Sequence, residues 1–297
     1  LTLVIVAAFF LPIYLHRGIY TMPQFLEQRF DKRVKSVMAI FWLVVFIFVN
    51  LTSILYLGAL AINQMMGIDL MWGIVGLAAF ALIYSIYGGL KAVAWTDVIQ
   101  VVFLIGGGLI TTYVAFELLG QGSFLDGVKE LWAKAGPNSP DNRFDMILSK
   151  DNPNYPDLPG IGVLIGGMWI ANLYYWGCNQ YIIQRALASK SLDQAQKGLI
   201  FAGFLKILLP LIIVVPGIIC FVMVKDGMIA PLGKADEAYP TLLNMVPAGV
   251  KGLAFAALVA AIVSSLASMM NSISSIFTLD IYKSYINKNL SETGSVR

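Results

Sequence analysis

Histidine occurs once in this sequence of 297 residues and cysteine twice, and no CxxC pair or Cys/His cluster is present. That scarcity leaves no disulfide framework and no zinc site to read. Charge is scarce as well: 12% of residues are Asp, Glu, Lys or Arg, about half the ~25% of a soluble domain. The net charge of +3 is too small and too dispersed for a nucleic-acid surface. The alternation over ~10-residue segments that marks a membrane-spanning β-barrel is missing. So are the catalytic dyad, metal cluster and phosphate loop that an enzyme would need, and the sequence predicts neither enzymatic activity nor a bound cofactor.

What is present is apolar. Hydrophobic residues make up 58% of the chain, in runs that repeatedly exceed the ~18 residues needed to cross a bilayer. Lipid cannot satisfy bare backbone amides, so such runs must be helical. The expected spans are residues 1–15, 36–66, 70–90, 98–118, 159–184, 198–224 and 252–279, forming a single transmembrane domain over 1–297. The first span is cut short at Leu1 and no cleavable leader precedes it, which predicts an internal fragment of a longer chain. Segments 14–35, 91–97, 185–197 and 283–297 hold twelve Lys or Arg residues against seven in the opposite loops. Positive charge marks the cytoplasmic side, so these four segments face inward in a plasma or inner membrane. The external loop 119–158 contains an amphipathic piece, 124–131, followed by turns. The inner stretch 19–33 reads as a surface-lying helix, capped by Thr21 with Pro23 in its first turn. Its Phe25, Leu26 and Phe30 face the bilayer while Arg29 faces water.

Polar groups within the spans carry the functional reading. Lys206 is alone in the 198–224 stretch, about 12 Å from its start at 1.5 Å per residue. An isolated ammonium at membrane depth costs about 2.5–3.5 kcal/mol on insertion scales. It either snorkels to the interface or binds a polar ligand. Pro210 and Pro216 follow it and can kink the helix. Residues 168–180 are dense in Asn, Tyr, Trp and Gly. Asn172 shares a helical face with Tyr175 and Trp176. Amide groups beside aromatic rings suit a sugar, whose hydroxyls bond to Asn while its apolar face stacks; interhelical glue and packing are the structural alternatives. Ser264 and Ser265, with the Ala261 carbonyl one turn earlier, can offer three hard oxygens to a monovalent cation such as Na⁺, or merely pack helices and bond backward. Asp97 either caps a helix behind Trp95 or handles an ion. Asn50, mid-span, needs a partner, and the Asn172/Tyr175 helix is the one expected.

The stretch Tyr84-Ser85-Ile86-Tyr87-Gly88-Gly89-Leu90-Lys91-Ala92, followed by Trp95-Thr96-Asp97, resembles the signature of the sodium/solute symporters. Residues 171–177 through Gln184-Arg185, and 260–268, resemble its bacterial sodium/galactose branch, as do Gly18 to Thr21 with Pro23, Phe25 and Arg29-Phe30. The likeness covers nearly the whole chain except 120–154. It implies a polytopic all-α bundle, part of a five-plus-five inverted-repeat (LeuT-like) core, that moves a galactose- or glucose-like sugar with Na⁺ as coupling ion by alternating access. In the family, residues matching Asn172 and Lys206 bind sugar hydroxyls. The match to Tyr175, flanked by Trp176, stacks as an inner gate steadied by the match to Asn50. Ala261, Ser264 and Ser265 match sodium ligands, and Asp97 an aspartate on the ion's exit path. Measured against that core, the chain begins inside the second helix and stops after the eighth. Phe46 stands where the branch can have a tyrosine. The alternatives are a family member for another solute (myo-inositol, sialic acid, an amino acid) or a sugar sensor that does not transport. Oligomeric state is not legible.

Overall fold

The computed structural model describes residues 1–152, 155–158 and 160–291, with the side chains of all of these except 89–92 and 157. Pro159 and Arg297, at the edges of an expected span and an expected inner segment, lie outside the described residues, as does the Lys91 side chain. Among the described residues all regular structure is helical. Five helices are long and apolar enough to cross a membrane: Lys32–Met66, Leu70–Gly88, Val93–Leu119, Leu192–Lys225 and Ala248–Ile286. The expected first span falls on the shorter helix Thr2–His16. The expected span at 159–184 is divided among three short helices, Ile161–Ile165, Gly167–Gly177 and Gln180–Leu187.

Local chemistry explains the ends. The Asp31 carboxylate accepts from the Val34 amide at 2.8 Å, Asp69 from Met71 at 2.9 Å, and the Ser191 hydroxyl from Gln194 at 3.3 Å. Each satisfies a donor that a helix N-terminus leaves free. Gly67 stops the second half of the long Lys32–Met66 helix in a left-handed conformation (φ +69°), which glycine adopts without steric cost. The helical run Leu70–Leu119 cannot be straight. The Tyr84 and Thr96 hydroxyls are hydrogen-bonded although they are twelve residues apart, a separation of about 18 Å along an ideal helix. The run therefore folds back into two spans.

Ala248–Ile276 is the central helix. It lies along the folded Leu70–Leu119 run and contributes Val263 and Leu266 to one buried cluster and Met269 and Ile276 to another. Small residues set its approach to the neighbours. A Cβ on Gly58 would sit 2.7 Å from Ile262 and 2.9 Å from Leu77, so three helices meet there without room for a methyl group. Large apolar side chains such as Phe48, Trp72, Ile170 and Ile207 are more than 70% exposed, as a surface in lipid rather than water requires.

One expectation is corrected at the inner end. Phe25 does not face the bilayer: its ring packs edge-on against the buried Tyr14 ring, 5.2 Å between centroids. The surface helix Met22–Arg29 is held against the bundle by fully buried Gln180, which accepts from the Met22 amide at 2.9 Å and donates to the Tyr20 carbonyl at 3.1 Å. Phe25 is thereby turned inward. On the opposite side, helix Phe124–Ala135 and the turns after it are strapped to the end of Leu192–Lys225. Lys134 binds Asp226 at 2.7 Å, Lys225 pairs with Asp141, and the Arg143 guanidinium lies 4.1 Å from the centre of the Phe221 ring. Its hydrogen bonds to Asp226 and then to Glu130 push the Lys134 ammonium above the usual lysine range.

Gly58→Val should lower stability by about 1–3 kcal/mol through overpacking. It would be read as a lower melting temperature of the purified protein, and an unchanged melt would refute the close three-helix contact.

Candidate functional site

The divided stretch at 160–187 supplies the site. Gly166 (φ −100°, ψ −90°) separates the first two of its helices, and Cys178-Asn179 leaves helical geometry before Gln180. Glycine at 160, 162, 166 and 167 weakens the helix where lipid alone would favour continuity. Breaks of this kind are tolerated at membrane depth where protein covers the backbone. Here they aim Tyr175 and Trp176 from one short helix toward Tyr181 on the next.

A row of side chains results. The Lys206 ammonium lies 4.0 Å from the centre of the Trp176 ring, an arrangement in which the ring face partly replaces water around the cation. Trp176 and Tyr175 meet edge to face at 5.0 Å. The Tyr175 hydroxyl is hydrogen-bonded to the Tyr181 hydroxyl at 2.9 Å. Tyr181 in turn meets the buried Phe46 ring edge-on at 6.4 Å and lines a cavity of about 430 Å³. Asp236, Tyr239, Ala261 and Ser265 also line that cavity, so phenol, carboxylate, carbonyl and hydroxyl oxygens open onto one space.

A second polar group lies on another face of the central helix. The Asp97 carboxylate receives the Arg185 guanidinium at 2.6 Å and the Ser264 hydroxyl. The same guanidinium nitrogen donates to the Ser268 hydroxyl, and the Gln184 amide donates to the Ser268 carbonyl at 3.0 Å. Asp97 is not a helix cap, since it lies inside the span Val93–Leu119, four residues beyond its start.

The structure thus brings Lys206, Trp176 and Tyr175 together, and joins Asp97 to Ser264. It leaves other expected neighbours apart. The Asn172 amide turns back to the Met168 carbonyl at 2.9 Å and borders a smaller cavity of about 220 Å³ beside Thr2 and Trp169. Ser265 donates to the Ala261 carbonyl at 3.0 Å, and both face the larger cavity, whereas Ser264 faces Asp97. Asn50 is half-buried in the π-helical turn Val45–Leu51. Its helix meets the broken stretch through Trp42 stacked on Tyr174 at 5.5 Å and through Phe46 on Tyr181, and among the described residues no hydrogen bond joins Asn50 to Asn172 or Tyr175. Sequence reasoning missed Tyr181 and Arg185. Tyr181 follows the aromatic run by one turn and could have been found from it; Arg185 reads in sequence as an ordinary interfacial charge.

The sodium:solute symporter family model matches residues 1–297. The chain is 55% identical over 300 residues to a sodium/glucose cotransporter of Vibrio parahaemolyticus, with 97% of this chain and 54% of that protein aligned. It is 36% identical to the human sodium/myo-inositol cotransporter 2, over 95% of this chain and 44% of the relative. A solved structure of a Na⁺-coupled sialic acid symporter, substrate-bound and outward-open, superposes with a TM-score of 0.81 at 27% identity, covering 99% of this chain and 63% of the other. The chain spans about half the length of the curated relatives it matches.

A double-mutant cycle of Asp97→Asn and Arg185→Gln, followed by thermal unfolding, should give a coupling of about 0.5–3 kcal/mol, the range for side chains in one network. Strict additivity would show that the ion pair does not form.

Proposed function

This chain belongs to the sodium:solute symporter family, and on that premise we propose that the complete protein carries a galactose- or glucose-like sugar inward together with Na⁺ by alternating access. The 297 residues are one transmembrane domain of that carrier, with seven crossings that include Thr2–His16 and the broken stretch at 160–187. The carrying observation is the row Lys206, Trp176, Tyr175 and Tyr181, which ends at the cavity lined by Ala261 and Ser265.

In this reading Lys206 donates to sugar hydroxyls and Tyr175 stacks under the ring. Asn172 joins them by giving up its bond to the Met168 carbonyl, an exchange of one amide hydrogen bond for another. Tyr175 acts as a gate, with Trp176 behind it and Asn50 on the facing helix. The Ala261 carbonyl and Ser265 hydroxyl offer oxygen ligands to Na⁺ from the cavity side. Asp97 and Ser264 form a second oxygen pair on the basic side, where a passing cation must displace the Arg185 guanidinium. The ion supplies the driving force: one charge crossing 100 mV contributes about 2.3 kcal/mol before its concentration gradient is added. No bond in the solute is broken, in keeping with a family of transporters.

A second reading keeps the family and changes the solute; the 36% identity to a myo-inositol cotransporter fits it, while the 55% identity to a sodium/glucose cotransporter supports the first. Competition of labelled galactose uptake by glucose, myo-inositol, sialic acid and amino acids separates the two.

Sodium-driven uptake of labelled galactose into proteoliposomes of the full-length protein tests the proposal, and binding without uptake would make it a sensor instead. Lys206→Ala should abolish that uptake; unchanged affinity and rate would leave the lysine a snorkelling group. Ser265→Ala should weaken the dependence of uptake on Na⁺, and a normal Na⁺ response would remove Ser265 from the ion's path.

A further inference from the structure

A separate titratable cluster sits at the basic end of the bundle, where the surface helix Met22–Arg29, the start of Lys32–Val44 and the π-helical end Phe277–Ile286 meet. Asp280 is completely buried there, and neither of its carboxylate oxygens receives a hydrogen bond. Its salt-bridge partner among the described residues is the Lys35 ammonium, at a loose 3.6 Å. Lys35 is itself 6% exposed and is committed elsewhere, to Glu27 at 2.7 Å and the Ser284 hydroxyl at 3.3 Å. The Thr21 hydroxyl, equally buried, lies beside Asp280.

The other charged and titratable groups nearby are occupied or open to water. Lys32 donates to the Ser284 carbonyl at 3.3 Å and lies over the Tyr285 ring at 4.7 Å. Lys283 lines the adjoining cavity of about 650 Å³ with Glu27, Gln24 and Gln28. Two carboxylates therefore share one ammonium, and the deeper one holds it only loosely. Burying an ionised carboxylate against a loosely held cation is unfavourable, whereas a protonated one needs only an acceptor. The Thr21 oxygen is such an acceptor.

We propose that Asp280 is a proton-binding site that works a latch on the surface helix Met22–Arg29. When protonated, Asp280 donates to the Thr21 hydroxyl and leaves Lys35 on Glu27, so the surface helix is tied to Lys32–Val44. When the proton departs to water in the cavity that Glu27 lines, the Asp280 carboxylate draws Lys35 inward. Glu27, already 37% exposed, is released to solvent. Lys35 is the positioning residue, exchanged between a carboxylate that holds the surface helix and one that holds the end of the last span. The inference does not depend on which solute is carried.

Backbone hydrogen–deuterium exchange of Met22–Arg29 in the full-length protein in liposomes tests it, after correction for the intrinsic pH dependence of exchange. From mildly acid to mildly alkaline buffer the protected amides should exchange about tenfold faster, the shift that one pKa unit of linkage gives. Asp280→Asn should stay slow at both pH values and Glu27→Gln fast at both. Histidine also changes charge in this range, and Asp280→Asn, which keeps His16, separates the two. The acid-side infrared spectrum should contain a carboxylic acid C=O band that Asp280→Asn lacks. Exchange in the wild type that ignores pH, a pH response that survives Asp280→Asn, or absence of the C=O band would each overturn the proposal.

Discussion

A bilayer offers polar side chains no water, and that constraint organises the interior of this bundle. Several hydroxyls and amides in the spans bond to a carbonyl one turn back on their own helix: Ser53 to Val49, Thr111 to Gly107, Asn172 to Met168, Ser265 to Ala261, Asn271 to Ala267 and Ser272 to Ser268. Such bonds satisfy the donor without committing a neighbouring helix. They also form a reserve, since a ligand that offers an equivalent partner can draw the group away at little net cost.

Charged groups within the spans reach across helices. Arg185 joins Asp97 to Ser268, with Ser264 on the same carboxylate, and Lys206 reaches the Trp176 face. Charges drive these contacts because a lone charge at low dielectric cannot be left unpaired. The family relationship and the long apolar helices make this a multi-pass membrane protein.

Much of the architecture is legible from sequence because the bilayer imposes one rule: apolar length predicts helix, and five long helices follow it. The division at Gly166 and Cys178 is foreshadowed by glycine and asparagine density, yet its exact places depend on what covers the exposed backbone. Ser264 and Ser265 read as one ligand pair in sequence. Successive helical residues are about 100° apart, so Ser265 shares a face with Ala261 while Ser264 turns to Asp97. The Arg185 pairing is invisible in sequence, since 88 positions separate it from Asp97 and no local periodicity links them. Phe25 has the spacing of a lipid-facing residue, and only the Gln180 contacts that hold its helix inward decide otherwise. The same holds for Asn172, whose chemistry suits a sugar and a backbone carbonyl alike.

The outer straps have a mechanical meaning. Lys134, Lys225 and Arg143 fasten a twelve-residue amphipathic helix and its following turns to the end of the helix that bears Lys206 and two prolines. Helix and attached loop constitute one rigid lever about whatever bend Pro210 and Pro216 allow. A small tilt at the level of Lys206 therefore becomes a larger displacement at the aqueous tip.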